Sequence, residues 1–447
     1  MGKPRPPLPP GPYLVVGLAR SGVAAALALR AQGAEVIGVD AGRSDRSGLA
    51  EAAGRLREAG VEVRLDASGV DLAARARTLI KSPGVPQDAP VLGAARARGS
   101  TVLGELELAW RLITNQFVAV TGTNGKTTTT EWIGHVHREA GLPVAVAGNV
   151  GTAASSLVGG LESDATVVCE TSSFQLEDTI SFSPEAAVLL NLSPDHLDRH
   201  GTYEDYVAAK LRIFANQGND DVAVAPADLP LEDLGGCARR VEFGSGPGPE
   251  LAERAGHLWW DEQPLIRVEE IALPGAHNRE NAMATAAVCL ARGIDGEAVA
   301  SGLRTFAGVR HRLEKIAVQN GVSWINDSKA TNVASTIVAL RSFPDAVHLI
   351  AGGRGKQQDF SRLAPPVAER CAAVYLIGEA AGDLAAALAS VGVPLHQAGD
   401  LERAVALARS AAGAGDTVLL SPACASFDQY VDFEARGEHF RALVERS

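Results

Sequence analysis

The run Phe117-Val118-Ala119-Val120-Thr121-Gly122-Thr123-Asn124-Gly125-Lys126-Thr127-Thr128 carries the strongest local signal in the chain. An apolar strand pattern enters a short loop with two glycines, and a helical pattern follows. Glycines let backbone N–H groups face a phosphate, and the helix start adds positive potential. Lys126 can reach the terminal phosphates of a nucleotide, and the Thr127 hydroxyl is a ligand for Mg²⁺. The strict pattern G-x-x-x-x-G-K-[ST] needs glycine at position 120, where Val120 stands. This loop is the shorter G-x-x-G-K-T. Its strand-to-helix setting points to α/β architecture with mainly parallel sheet.

The same alternation extends in both directions. Upstream, Tyr13-Leu14-Val15-Val16 reads as a strand, residues 21–32 as a helix, 35–40 as a second strand and 79–82 as a later one. Gly17-Leu18-Ala19-Arg20-Ser21-Gly22 approximates G-x-G-x-x-G with Ala19 in the middle. Asp40 follows Gly17 by 23 residues, the place of a ribose-binding acid. This says nucleotide without saying which. Downstream, strands are expected at 166–169 and 186–191, with helices over 204–214 and 278–292. Residues 229–263 read as irregular. Beyond Val309, Asn320-Gly321 between two apolar runs predicts a hairpin. Strands at 348–351, 374–377 and 417–420 then alternate with alanine-rich helices.

At ~150 residues per domain, 447 residues suggest three domains. The expected division is a Rossmann-like N-terminal domain (1–104), a central P-loop ATPase domain with mainly parallel sheet (105–308) and a Rossmann-like C-terminal domain (309–447).

Charge and cysteine use exclude several function classes. Lys plus Arg number 41 and Asp plus Glu 53, a formal net charge of −12. Such a chain repels a nucleic-acid backbone, so no nucleic-acid partner is expected. Cys169, Cys237, Cys289, Cys371 and Cys424 are scattered and never form C-x-x-C, which argues against a disulfide framework or a zinc site. The N-terminus has no apolar signal region, and Pro6 breaks the myristoylation pattern. No apolar run is long enough to span a bilayer. A cytoplasmic chain is expected, with the proline-rich residues 1–12 disordered.

Four further motifs bear chemistry. Glu170, in Val168-Cys169-Glu170-Thr171-Ser172-Ser173-Phe174-Gln175, ends an apolar strand where α/β sheets place ligands, and a carboxylate there suits Mg²⁺. Asn191-Leu192-Ser193-Pro194-Asp195-His196-Leu197-Asp198-Arg199-His200 has histidines four apart, a metal-ligand spacing on a helix, although it is not H-E-x-x-H. Lys210, taken alone, reads as an ordinary surface lysine. Ala351-Gly352-Gly353-Arg354-Gly355-Lys356 and Ser421-Pro422-Ala423-Cys424-Ala425-Ser426-Phe427-Asp428 both follow strands as functional loops.

Taken together, these motifs resemble the Mur ligases, most closely the glutamate-adding member. The likeness rests on Gly122 to Thr127, Glu170 to Glu177, Asp195 to Arg199, His277-Asn278, Asn326-Asp327-Ser328-Lys329-Ala330-Thr331-Asn332 and Ser421 to Ser426, and it spans nearly the whole chain in order. The resemblance implies ATP-dependent addition of D-glutamate to UDP-N-acetylmuramoyl-L-alanine through an acyl phosphate; a monomer is expected besides. Gly122, Thr123, Asn124, Gly125, Lys126, Thr127 and Thr128 would cradle the ATP phosphates. Asn278, Asn281, Arg312 and Asp327 would hold the adenosine. Thr127 and Glu170 would bind one Mg²⁺, and His196 with a carbamylated Lys210 a second. Lys126, Glu170, His196 and Lys210 would be catalytic. Gly17, Arg20, Ser21, Asp40, Asn149 and Ser172 would contact the UDP-sugar. Thr331, Lys356, Ser426 and Phe433 would capture glutamate. Arg20 and Ala41 depart from the family pattern, where an apolar residue and threonine are more usual. The rival readings are a related Mur-type or folylpolyglutamate-type ligase using another amino acid such as L-glutamate, an NAD-dependent dehydrogenase, and a non-catalytic nucleotide-binding regulator.

Overall fold

The computed structural model describes residues 2–43, 47–149, 151–229, 233–344, 346–355 and 358–446. It is an α/β chain with three mostly parallel sheets. They are divided between two compact units, Met1–Phe306 and Ala307–Ser447.

The first unit carries two sheets. One has five parallel strands in the order Glu62–Arg64, Val36–Val39, Tyr13–Val16, Thr78–Lys81, Thr101–Gly104. The other has nine, in the order Gln263–Arg267, His257–Trp260, Leu251–Arg254, Arg239–Ser245, Val222–Pro226, Ala186–Leu189, Gln116–Thr121, Thr166–Glu170, Val144–Gly148. Parallel strands are covered on both faces, which is why their sequences are nearly continuous Val, Ala and Leu. Gln116–Thr121 lies between Ala186–Leu189 and Thr166–Glu170, parallel to both. The loops that follow these three strands therefore open at one carboxyl edge, where such sheets bind ligands.

The stretch read as irregular, 229–263, holds three strands and the start of a fourth. In Arg239–Ser245, Val241 and Phe243 are buried, while Arg240, Glu242 and Gly244, which alternate with them, are only partly so. That two-residue period was present in the sequence. It was hidden by the shortness of the strands and by the Gly/Pro-rich residues 244–249 between them. The last three strands form an antiparallel margin on the otherwise parallel sheet.

The second unit is a six-stranded sheet in the order Glu314–Gln319, Val322–Asn326, Thr417–Leu420, Val347–Gly352, Cys371–Ile377, Leu395–Gly399. Only the first pair is antiparallel. Asn320 (φ +52°) and Gly321 (φ +80°) make its turn, both left-handed as an Asn-Gly hairpin requires.

The proline-rich N-terminus is packed, contrary to the expected disorder. The Gly2 N–H donates to Thr114 O at 2.8 Å. Lys3 pairs with Asp221 and donates to Ser183 Oγ. Arg5 lies over the Trp110 ring at 4.5 Å, donates to Asn115 O at 2.7 Å and pairs with Glu185 at 3.1 Å. Composition predicted disorder because the segment lacks a core of its own, but its two cations find carboxylates at the starts of neighbouring strands. Arg5 and Glu185 are both nearly inaccessible. Removing the cation would leave a buried carboxylate, which costs about 3 kcal/mol or more. Arg5→Ala is therefore expected to lower the stability of the first unit by about that amount, read from urea unfolding at neutral pH.

Candidate functional site

The loop 122–126, read from the sequence as a phosphate cradle, is fixed by its neighbours. Lys126 heads the helix Lys126–Glu139, and its Nζ donates to Gly122 O and Thr123 O, both at 2.9 Å. The Asn124 N–H donates to Asn191 Oδ1 at 2.9 Å. Thr123 Oγ1 donates to Ser193 O at 3.1 Å and lies 2.9 Å from the Tyr206 hydroxyl. Gly125 has φ +83°, and a Cβ there would sit 2.2 Å from Asn281 Oδ1. That oxygen also accepts from Thr129 Oγ1 at 3.3 Å, and Asn281 Nδ2 donates to Asn278 Oδ1 at 3.4 Å. Glycine at 125 is thus required twice, by backbone angle and by space. Gly125→Ala is expected to weaken ATP binding at least about tenfold, a 1.4 kcal/mol effect, measured by calorimetric titration.

Glu170 ends the strand Thr166–Glu170 and is buried. Its Oε1 accepts from Asn149 Nδ2 at 3.0 Å. The next loop is fixed by a capping box: Ser172 Oγ accepts from the Gln175 N–H, and Gln175 Oε1 accepts from the Ser172 N–H.

Lys210 is not the surface lysine its sequence suggested. On the helix Tyr203–Leu211 it is buried and donates to Gly122 O at 2.7 Å. Burial first, and then the nearby Lys126 charge, push its pKa down to about 7. A large share of the amine is therefore neutral near neutral pH.

The two histidines four apart do not share a helix face. His196 precedes the short helix Leu197–His200 with φ +51°, and its ring is half exposed against Asp195. His200 Nδ1 is 2.9 Å from Glu177 Oε1, and its Nε2 is 3.0 Å from Ser173 Oγ. The structure engages His200 in holding the loop, which removes the paired-ligand reading.

In the five-stranded sheet, Gly17 (φ +85°) begins the loop toward Arg20 and Ser21. Both Asp40 oxygens accept backbone N–H groups, from Leu18 at 2.6 Å and Gly42 at 2.7 Å. Asp40 thus clamps the Gly17 loop. Arg20 Nη1 donates to Gly151 O at 2.5 Å, two residues beyond Asn149.

In the second unit, Asp327 is buried after the strand Val322–Asn326. It accepts from the Leu313 N–H at 3.2 Å and from Ser421 Oγ at 2.8 Å, and burial pushes its pKa up to about 7. Arg312, the residue before Leu313, is exposed, Thr331 is half-buried, Ser426 is buried, and Phe433 begins the helix Phe433–Glu445. Lys356 lies outside the described residues. Sequence reasoning missed Arg436, which is 1% exposed. It donates to Ser328 Oγ at 3.0 Å, Ser328 O at 2.9 Å and Cys424 O at 3.2 Å, joining two motif loops. Only its place before Gly437, whose missing Cβ admits the His311 ring, could have marked it. Asn191, quoted in its motif without a role, and Tyr206, which was missed, brace the loop 122–126.

Among the described residues, no cluster of three or more His, Cys, Asp or Glu forms a metal cage. Mg²⁺ does not need one, since it takes one or two protein oxygens and fills its shell with water and phosphate. The Thr127 hydroxyl and the Glu170 carboxylate are hard oxygen donors of that kind and fit. His196 and Lys210 fit a second ion only with Lys210 as a carbamate, because an ammonium repels a cation.

Residues 120–289 match the Mur ligase middle domain, and residues 311–424 match the Mur ligase glutamate ligase domain. The chain is 43% identical to the UDP-N-acetylmuramoylalanine–D-glutamate ligase of Acidobacterium capsulatum, over 96% of this chain and 95% of that protein. It is 44% identical to the enzyme of the same name from Geobacter metallireducens, over 96% of each. Among solved structures, it resembles the UDP-N-acetylmuramate-alanine ligase MurC of Thermotoga maritima. The TM-score is 0.61, with 22% identity, covering 98% of this chain and 99% of that one. At that identity the likeness shows the fold alone.

Proposed function

Because this chain belongs to the Mur ligase family, we propose that it catalyses the reaction for which its 41–44% identical relatives are named, joining D-glutamate to UDP-N-acetylmuramoyl-L-alanine. It is an ATP-dependent ligase of peptidoglycan precursor synthesis. The observation that carries the finer reading is the shared carboxyl edge of the central sheet, where the Lys126 loop, Glu170 and Lys210 meet. The residues assigned above to nucleotide sugar, ATP and glutamate, and the three-domain division, belong to this proposal. It takes a single chain in the cytoplasm as the working unit.

A carboxylate is a poor electrophile. Transfer of the γ-phosphoryl group to the alanyl carboxylate of the nucleotide sugar gives an acyl phosphate and ADP. The transition state spreads negative charge over phosphoryl oxygens, so positioning and cations carry the step. Loop N–H groups at 122–126 orient the phosphates, and the Lys126 ammonium moves from its two carbonyl partners onto phosphoryl oxygen. Mg²⁺ held by Thr127 and Glu170 would neutralise phosphate charge. Lys210, once its ammonium has given up a proton, adds CO₂ as the neutral amine and releases a second proton, leaving a buried carbamate anion. The glutamate amine then attacks the acyl carbon, and the tetrahedral adduct expels phosphate as the amide forms.

Phosphate release from ATP tests the proposal, with UDP-N-acetylmuramoyl-L-alanine and either D-glutamate, L-glutamate or no amino acid. Release that needs both the nucleotide sugar and D-glutamate is the expected result. Release with another amino acid would keep the mechanism and replace the glutamate assignment; none with any pairing would overturn the reading.

A further inference from the structure

His196 is weakly held for a catalytic ligand. Its ring is half exposed, and it sits in a left-handed conformation in the loop after Ala186–Leu189. Besides Asp195, the ring contact the structure shows for it is Phe174, with centroids 4.9 Å apart. Phe174 is in turn firmly placed. It lies on the short helix Ser173–Leu176, behind the capping box, and stacks on His200 at 5.4 Å. The Arg199 guanidinium lies over the Phe174 ring, 4.1 Å from its centroid.

Arg199 also reaches the five-stranded sheet. Its Nη1 donates to Pro83 O at 3.0 Å, and its Nη2 to Val85 O at 3.4 Å, while Glu177 lies 3.6 Å away. Residues 82–85 support the Gly17 loop. Ser82 Oγ donates to Gly17 O at 2.6 Å, and Val85 Cγ2 would lie 2.8 Å from a Cβ on Gly17. An unbroken line of contacts thus runs from Gly17 through Ser82 and Val85 to Arg199, Phe174 and His196.

We propose that Arg199, acting through Phe174, is a positioning residue that couples occupation of the Gly17 loop by the nucleotide sugar to the placement of His196. A ligand that orders the Gly17 loop fixes the 83–85 carbonyls, and these hold the planar guanidinium. The guanidinium holds the Phe174 face on which the imidazole rests. Lysine cannot do this, because a point ammonium lacks the flat fork that bonds two carbonyls while stacking on a ring. Coupling of this kind is reciprocal: the divalent ion tightens nucleotide-sugar binding by the same factor that the sugar tightens the ion. The inference rests on His196 as a ligand of the second ion.

Mn²⁺ binding, followed by electron paramagnetic resonance in the presence of a non-hydrolysable ATP analogue, with and without UDP-N-acetylmuramoyl-L-alanine, tests it without turnover. In the unaltered chain the nucleotide sugar should tighten the weaker Mn²⁺ site at least about fivefold. Arg199→Lys and Phe174→Leu should reduce that factor to about one while leaving the tighter Mn²⁺ site unchanged, the latter reporting an intact fold. His196→Ala separates the two possible failures. If His196→Ala leaves both Mn²⁺ sites intact, the ligand assignment is wrong. If it abolishes the weaker site but Arg199→Lys retains the full coupling factor, the ligand assignment stands and the coupling inference is overturned.

Discussion

Replacing Lys126 with alanine is expected to lower kcat/KM for ATP-dependent phosphate release by about 10³-fold, roughly 4 kcal/mol of transition-state stabilisation. The loop supplies neutral N–H donors, and Lys126 is the cation it carries at the helix start. Its ammonium bonds two loop carbonyls, Gly122 O and Thr123 O. Those bonds are modest and partly open to water, so the fold survives their loss. In the proposed reaction, the positive charge that Lys126 would set beside phosphoryl oxygen has no such substitute. Steady-state kinetics beside a thermal melt separate the two effects. A variant that melts normally and keeps more than a tenth of the activity would remove Lys126 from the chemistry.

Lys210→Ala should cost about 10²-fold or more in kcat, the usual loss when a positioned charged group is removed from such a site. The unaltered chain should also depend on CO₂, with a definite sign. The amine, brought down to about 7, is mostly protonated below that pH and mostly neutral above it. Only the neutral form adds CO₂. After CO₂ is stripped, activity should return on adding bicarbonate, and more completely at pH 8 than at pH 6. A carbamate resonance in ¹³C NMR, after ¹³C-bicarbonate is supplied, should appear with it. Activity indifferent to CO₂ at both pH values, with no such resonance, would exclude the carbamate.

Most of the frame was legible because parallel strands and phosphate loops write themselves locally. Val118 to Thr128 contains its own strand, turn and helix start, and Asn320-Gly321 its own hairpin. What was not legible depended on partners far along the chain. Lys210 reads as a surface residue until the Gly122 carbonyl, 88 positions earlier, is laid against it. His196 and His200 have the spacing of a ligand pair, yet the left-handed turn at His196 sends the rings to different work. Arg436 carries no motif at all; its role exists only once the loops at Ser328 and Cys424 surround it. The edge strands between Arg239 and Arg267 were hidden for a different reason, since short half-buried strands carry little apolar signal.

The N-terminal strap has a consequence for how the chain is made. Lys3 and Arg5 meet Asp221 and Glu185, 218 and 180 residues downstream. At ~5–20 residues per second, their partners leave the ribosome roughly 10–40 s after the strap does. Through that interval the first strand must find its neighbours with its leading segment unlatched. The latch closes only when the strands beginning at Ala186 and Val222 have formed, so it acts as a late seal on synthesis rather than as a nucleus for it.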